Sequence, residues 1–162
     1  GMGVFIDIYP YDGLGTTEKE AVTYGMKGDR LSSLCYQSTR EHFAIETTTS
    51  LFRKIIKYPV FIGSKLIGKD YFQKKLNQLV KLKEYEDSNY IGCVVWLSGG
   101  KKEIFLRKWF DETVMVPFEK YQFRVPKDYD EVLRHTYGDY MQLPPEKDRI
   151  GHHYFKAYRK DE

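Results

Sequence analysis

A single α+β unit is predicted by three observations. A short β-branched and aromatic run opens the chain, three segments then carry apolar residues at helical spacing, and period-two runs broken by turn signals follow before a last short helix. That order argues against a doubly wound parallel sheet. It predicts a small mixed or antiparallel sheet packed with helices, and the 162 residues suit one core, so residues 1–162 are expected to form one domain.

Gly3-Val-Phe-Ile-Asp-Ile-Tyr9 is the first predicted strand, bounded by Pro10 and the Asp12-Gly13 turn signal; alternation puts Phe5, Asp7 and Tyr9 on one face. Thr17-x-x-Glu20 reads as a capping box opening a helix through about Arg40, in which Gly25 and Gly28 predict a break. From Thr47 to about Lys57, Leu51, Phe52, Ile55 and Ile56 fall at helical spacing, and Pro59 is expected to end or kink that helix. Asp70-x-x-Gln73 starts the best-defined helix, with Phe72, Leu76, Leu79 and Val80 as its stripe, running to about Glu86. Ile91 to Leu97 is strand-like, Ser98-Gly99-Gly100 is a turn, and Glu103 to Leu106 can pair back. Two short strands, Thr113 to Phe118 and Tyr121 to Val125, precede a helix capped by Asp128 and stopped at Gly138, whose apolar side is Tyr129, Val132, Leu133 and Tyr137. Beyond it, Pro144 and Pro145 restrict the backbone, and Tyr137, Tyr140 and Met141 are expected to pack the loop onto the core.

Composition excludes several classes. A net charge of +3 gives no blanket basic field, so nucleic acid is not the expected partner. Cys35 and Cys93 are far apart in apolar surroundings, which argues against a zinc site or disulfide framework and fits a reduced cytoplasm. No apolar run reaches the roughly 20 residues of a membrane span, and no leader pattern is present. Gly1 before Met2 reads as a residue left over from expression.

Three places carry candidate chemistry. Asp7, a carboxylate in an apolar strand, is costly to bury unless it binds a metal, pairs with a cation or opens onto a cleft, and Asp12 is its candidate partner acid. Asp139, Arg149, His152 and His153 cluster after the Tyr137-Gly138 turn, with Arg149 the best anion clamp; the competing reading is a turn-capping Asp139 and a solvated histidine tail. The segment from Arg53-Lys54 to Lys69 mixes Phe61, Ile62, Leu66 and Ile67 with Lys57 and Lys65, which suits either a packed helix with a solvated face or contact with an anionic membrane surface. No Gly-rich phosphate loop, Gly-x-Ser-x-Gly elbow or Cys-His pair is present.

The opening Val4-Phe-Ile-Asp-Ile-Tyr-Pro-Tyr-Asp-Gly13, Phe118-Glu119, Val125-Pro126, Tyr137-Gly-Asp-Tyr-Met and Pro144-Pro145 together resemble the LicD family of bacterial phosphocholine transferases and fukutin-related phosphopolyol transferases. The resemblance implies a nucleotidyltransferase-like domain that moves a phospho-substituent from a cytidine diphosphate (CDP)-linked donor to a glycan hydroxyl by Mg²⁺-assisted in-line attack. It implies Asp7 as the acidic metal and catalytic residue, with Asp12 as second choice, and Tyr137, Asp139, Arg149 and His152 on the substrate side. The family's His-Gly-Thr-Leu-Leu-like and Trp-Asp-Asp-Asp-Ile-Asp-like segments are not in this sequence. The expectation is therefore the C-terminal portion of such a domain, inactive alone. It would sit in the cytoplasm or at the inner face of the membrane, as a homodimer or paired with a catalytic chain. The alternative is a noncatalytic ligand-binding or partner-binding module of polysaccharide biosynthesis.

Overall fold

The computed structural model describes residues 8–43, 50–97, 100–143, 145–146 and 149. Their elements are β1 (Asp12–Gly15), α1 (Glu18–Thr39), α2 (Leu51–Ile67), α3 (Lys69–Val80), β2 (Tyr90–Gly92), β3 (Phe105–Leu106), β4 (Thr113–Phe118), β5 (Tyr121–Pro126) and α4 (Tyr129–Tyr137), with 3₁₀ turns at Gly100–Glu103 and Arg107–Phe110. Strands β1, β2 and β3 form an antiparallel sheet in that order, and β4 and β5 form a separate hairpin. The α+β class is as predicted.

The predicted first strand, Gly3 to Tyr9, falls mostly outside the described residues, and the first strand among them is a different stretch. Residues 1–7 lie outside the described residues, Ile8 and Tyr9 have no strand partner, and β1 is the Asp12-Gly13-Leu14-Gly15 stretch expected to turn. Leu14 is fully buried, Asp12 pairs with Gly92, and a bulge lies between Gly13 and Gly15. Ser88 pins this strand to the chain after α3: its Oγ accepts from Gly15 N at 3.2 Å and donates to Glu84 O at 2.8 Å.

Helix α1 opens as its capping box predicts. Thr17 Oγ1 accepts from Glu20 N at 3.3 Å, and the Glu20 carboxylate reaches back one residue further than expected, to Thr16 N at 2.9 Å. It then runs unbroken for 22 residues. Gly25 and Gly28 do not interrupt it. They let it approach the segment after β2, because a Cβ at position 28 would lie 2.2 Å from Val94 O, and one at position 25 would lie 2.6 Å from Leu97 Cδ2. Around this contact sits the core of Leu14, Ala21, Tyr24, Leu79, Val94, Leu97 and Ile104, with the Tyr24 hydroxyl donating to Leu79 O.

Helix α2 passes through Pro59 to Ile67 rather than ending near Lys57, and residues 44–49 of the predicted start lie outside the described residues. Pro59 is exposed, so the carbonyl that loses its helical donor can turn to water. Only Phe61 and Ser64 of the described α2 side chains are buried. Helix α3 buries Phe72, Leu76 and Leu79 as its stripe predicts but stops at Val80, and Lys83 beyond it pairs with Glu20.

The predicted strand Ile91–Leu97 is real only over Tyr90–Gly92. Val94 then turns, with Trp96 N donating to Cys93 O at 3.0 Å, and β3 is correspondingly only two residues long. The β4–β5 hairpin matches its prediction, closing Phe118 against Tyr121 with Glu119 at φ 53°. Helix α4 ends at Gly138, whose φ of 72° suits glycine and whose N–H donates to Arg134 O at 2.8 Å. Asp128 holds the cap position but makes no side-chain cap bond, leaving Asp130 and Glu131 to favour the helix start through the dipole. The following loop is not packed as expected. Tyr140 is half-buried, its hydroxyl donating to Asp130 at 2.6 Å, whereas Tyr137, Met141 and Leu143 are exposed.

Candidate functional site

Helix α4 lies against the Gly100–Glu103 turn and the Arg107–Phe110 turn, and its residues help line two clefts. In the first, of about 290 Å³, the charges are matched: Lys101 pairs with Glu18 at 2.9 Å, and His135 Nε2 lies 3.0 Å from Lys101 O, which requires the proton on Nε2. The His135 ring also meets Trp109 at 5.6 Å and 61°. Every polar group named here has a partner, which is what a structural contact requires.

The second cleft is different. It has a volume of about 340 Å³, and Tyr9, Tyr11, Trp96, Phe105 and Tyr137 put five aromatic side chains on its wall with Cys93, Val132, Leu133, Thr136 and Glu103. Tyr11 is held in place by stacking on Phe105 at 5.4 Å and 27° and by an edge contact with Phe110 at 5.4 Å and 89°. Among the described residues, Glu103 Oε2 is the buried side-chain oxygen or nitrogen with no hydrogen-bond partner. Burial raises the Tyr11 hydroxyl above its usual range, and the neighbouring Cys93, Glu103 and Tyr137 add to that shift. Burial likewise raises the Cys93 thiol; the N–H groups of Val95 and Trp96 oppose this, while Asp12 and Glu103 reinforce it. Cys93 is therefore held as a thiol, unsuited to nucleophilic chemistry.

Among the described residues, those singled out from the sequence do not line one common cleft. Asp7 and His152 lie outside the described residues. Asp12, half-buried on β1, has its carboxyl raised above the usual 3.8 by burial, against a hydrogen bond from Val94 N–H that lowers it, and it lines neither cleft. Asp139 is exposed just past α4, its carbonyl accepting from Gln142 N at 3.1 Å, and Arg149 is exposed with its N–H donating to Glu146 O at 3.2 Å. Of the described candidates, Tyr137 lines the aromatic cleft. Sequence reasoning missed Glu103 because it follows Lys101-Lys102 and reads as one more solvated charge. The Tyr9-Pro10-Tyr11 pair was the available signal for the aromatic wall.

The described residues do not fit Mg²⁺. Among them no three His, Cys, Asp or Glu side chains are grouped to hold a metal. Also among the described residues, no helix is long and apolar enough to cross a membrane. Helix α2 nonetheless exposes Phe52, Ile55, Ile56, Leu66 and Ile67 beside Lys57 and Lys65.

The chain is 32% identical over 157 residues, 96% of its length, to the lipopolysaccharide cholinephosphotransferase LicD of Haemophilus influenzae strain ATCC 51907 / DSM 11121 / KW20 / Rd. It spans 57% of the length of that relative. No family model matches the chain, and no solved structure matches it. The resemblance to the LicD family read from the two ends of the sequence thus extends along almost the whole chain.

Proposed function

Taking that relation to LicD as the premise, we propose that this chain forms the substrate-side part of a LicD-type transferase, which moves phosphocholine from a CDP-linked donor to a hydroxyl of lipopolysaccharide. The 32% identity along 96% of the chain carries this reading. The aromatic cleft beside Tyr137 supports it, because it is the place where the family-like Tyr137-Gly138 turn meets a concave surface of the size small-molecule sites usually have, about 300–1,000 Å³. In this reading the chain's own residues bind and orient the donor. Asp7, with Asp12 as second choice, remains the proposed acid of the transfer. The proposed Mg²⁺ would require oxygens beyond those of the described residues, so no step is routed through it.

A hybrid tests the proposal: this chain replaces the matching portion of Haemophilus LicD in cells whose own LicD has been removed. Phosphocholine reappearing on the lipopolysaccharide, detected by mass spectrometry, is the expected result. A folded, expressed hybrid that adds none overturns the proposal. In the same proposal helix α2 faces the membrane that carries the acceptor, because its exposed Phe52, Ile55, Ile56, Leu66 and Ile67 lie among lysines. Co-sedimentation with anionic vesicles, lost in neutral ones, is the expected behaviour. Absence of binding to either removes the membrane from the reading.

A further inference from the structure

We propose that the cleft lined by Tyr9, Tyr11, Trp96, Phe105, Tyr137 and Glu103 is a binding site for a trimethylammonium group. It deepens the phosphocholine reading above and rests on it for the identity of the natural ligand. The recognition chemistry comes from the cleft itself.

The first observation is the unpaired carboxylate oxygen. Burying a carboxylate oxygen with no donor is expensive, and the cost is recovered only when a partner arrives or the group is neutralised. Among the described residues, Glu103 Oε2 has no such partner and no Lys, Arg or His lines the cleft. A ligand that brings a positive charge to this oxygen offsets that cost. Burial is the main cause that pushes Tyr11 and Cys93 toward their neutral forms, and the nearby Glu103 carboxylate adds to it in both.

The second observation selects the type of cation. Five aromatic side chains line the cleft, and apart from the Glu103 carboxylate its side-chain oxygens are the neutral hydroxyls of Tyr9, Tyr11, Tyr137 and Thr136. A quaternary ammonium carries no N–H to satisfy, so it can lie against aromatic rings, whose negative faces attract it, with its charge near the Glu103 oxygen, whereas a primary ammonium gives up more of its hydration on entering. The wall is also firm, since Tyr11 is fixed between Phe105 and Phe110 with both centroid separations at 5.4 Å. Preorganised rings do not have to be ordered on binding. A phosphate, by contrast, finds no cation among the described lining residues, so in this proposal the phosphoryl end of a phosphocholine group projects out of the cleft past the exposed Tyr137.

The test uses the full chain carrying Trp109→Phe, which leaves Trp96 as the fluorescent reporter, since the protein has two tryptophans. Tetramethylammonium chloride, choline and phosphocholine are titrated at constant ionic strength, with ethanolamine and ammonium chloride as matched N–H cations. Saturable quenching by the quaternary cations is expected, at least about tenfold tighter than for ethanolamine. Glu103→Gln should weaken choline binding by about tenfold or more while leaving the melting temperature unchanged or higher, because the unpaired buried charge is gone. Equal affinity for choline and ethanolamine, or unaltered choline binding in Glu103→Gln, overturns the proposal.

Transfer assays on the hybrid keep the two readings separable. If the chain binds choline as described and the hybrid transfers no phosphocholine, the transferase reading fails and the site stands. If the hybrid transfers phosphocholine and its preference for CDP-choline over CDP-ethanolamine is the same with Glu103→Gln, the site fails and the transferase reading stands.

Discussion

Helices α1 and α2 are both long, both contain glycine and both touch each other, yet they are built on opposite terms. Helix α1 has little apolar contrast around its surface, and it is the one buried at the centre, with Ala21, Tyr24, Gly25 and Gly28 inside. Helix α2 has the bolder apolar content, and it leaves Phe52, Ile55, Ile56, Leu66 and Ile67 exposed. Small residues let a backbone come close, so the α1 glycines mark a contact. A run of large apolar residues says only that something should cover them. An apolar stripe predicts a helix, and close-approach residues predict where it is packed.

The same substitution in the two helices gives the sharpest contrast. Gly28→Ala would push a methyl to within 2.2 Å of Val94 O, a backbone atom that cannot swing away, and should lower stability by about 1–3 kcal/mol or more. Gly63→Ala in α2 meets nothing within 4 Å and should raise stability by about 0.5–1 kcal/mol by removing backbone freedom from the unfolded chain. Urea denaturation midpoints at constant slope read both. Two changes of like sign would end the distinction between the helices.

Pro59→Ala tests the α2 side alone. Restoring the missing helical N–H removes a penalty of about 3 kcal/mol, offset by the stiffness that proline gives the unfolded chain. A net gain of roughly 1–2 kcal/mol in urea denaturation is expected, because Pro59 stands exposed within the helix. A loss would mean that the ring packs against something essential.

How far the sequence could be read follows the same physics. The capping box of Thr17 and Glu20, the buried face of α3, the β4–β5 hairpin and the Gly138 stop each rest on local chemistry, and each is found. Strand β1 was missed because Asp-Gly-Leu-Gly has almost no side-chain pattern; its place is set by Ser88 and by pairing with β2, partners 73 and more residues away. Tyr137 was legible as a candidate because it belongs to a particular turn, and it lines the aromatic cleft. Glu103 was not, because only the fold shows that its oxygen is buried and alone.

Asp12 extends the comparison on the α1 side, since its carboxylate takes a hydrogen bond from Val94, the residue that Gly28 packs against. Burial raises its pKa above 3.8, so the folded chain holds this proton more tightly than the unfolded chain does. Stability from this group is therefore fully present below the usual carboxylate range, and it falls as the pH rises through the folded pKa. Asp12→Asn should raise the melting temperature at neutral pH, and the gain should vanish on acidification. If Asp12 is the acid of the transfer, the hybrid carrying Asp12→Asn should be more stable and less active, whereas unchanged activity would leave Asp12 a structural group.

The smallest expected change in stability is on the exposed face of α2. Ile55 is 64% exposed, so little apolar area is lost from any contact when it is replaced, and Ile55→Lys should alter stability by no more than about 0.5 kcal/mol. The informative readout is elsewhere. If this face meets a lipid surface, the substitution removes apolar insertion while adding a positive charge. Binding to anionic vesicles should then fall despite the added charge, because headgroup attraction alone is screened by salt and the insertion is not. Binding that rises with Ile55→Lys and disappears in high salt would identify the contact as purely electrostatic, carried by Lys57 and Lys65. A large loss of stability would show instead that Ile55 is covered within the folded chain and that α2 is packed after all, which would remove the contrast with α1 at its root.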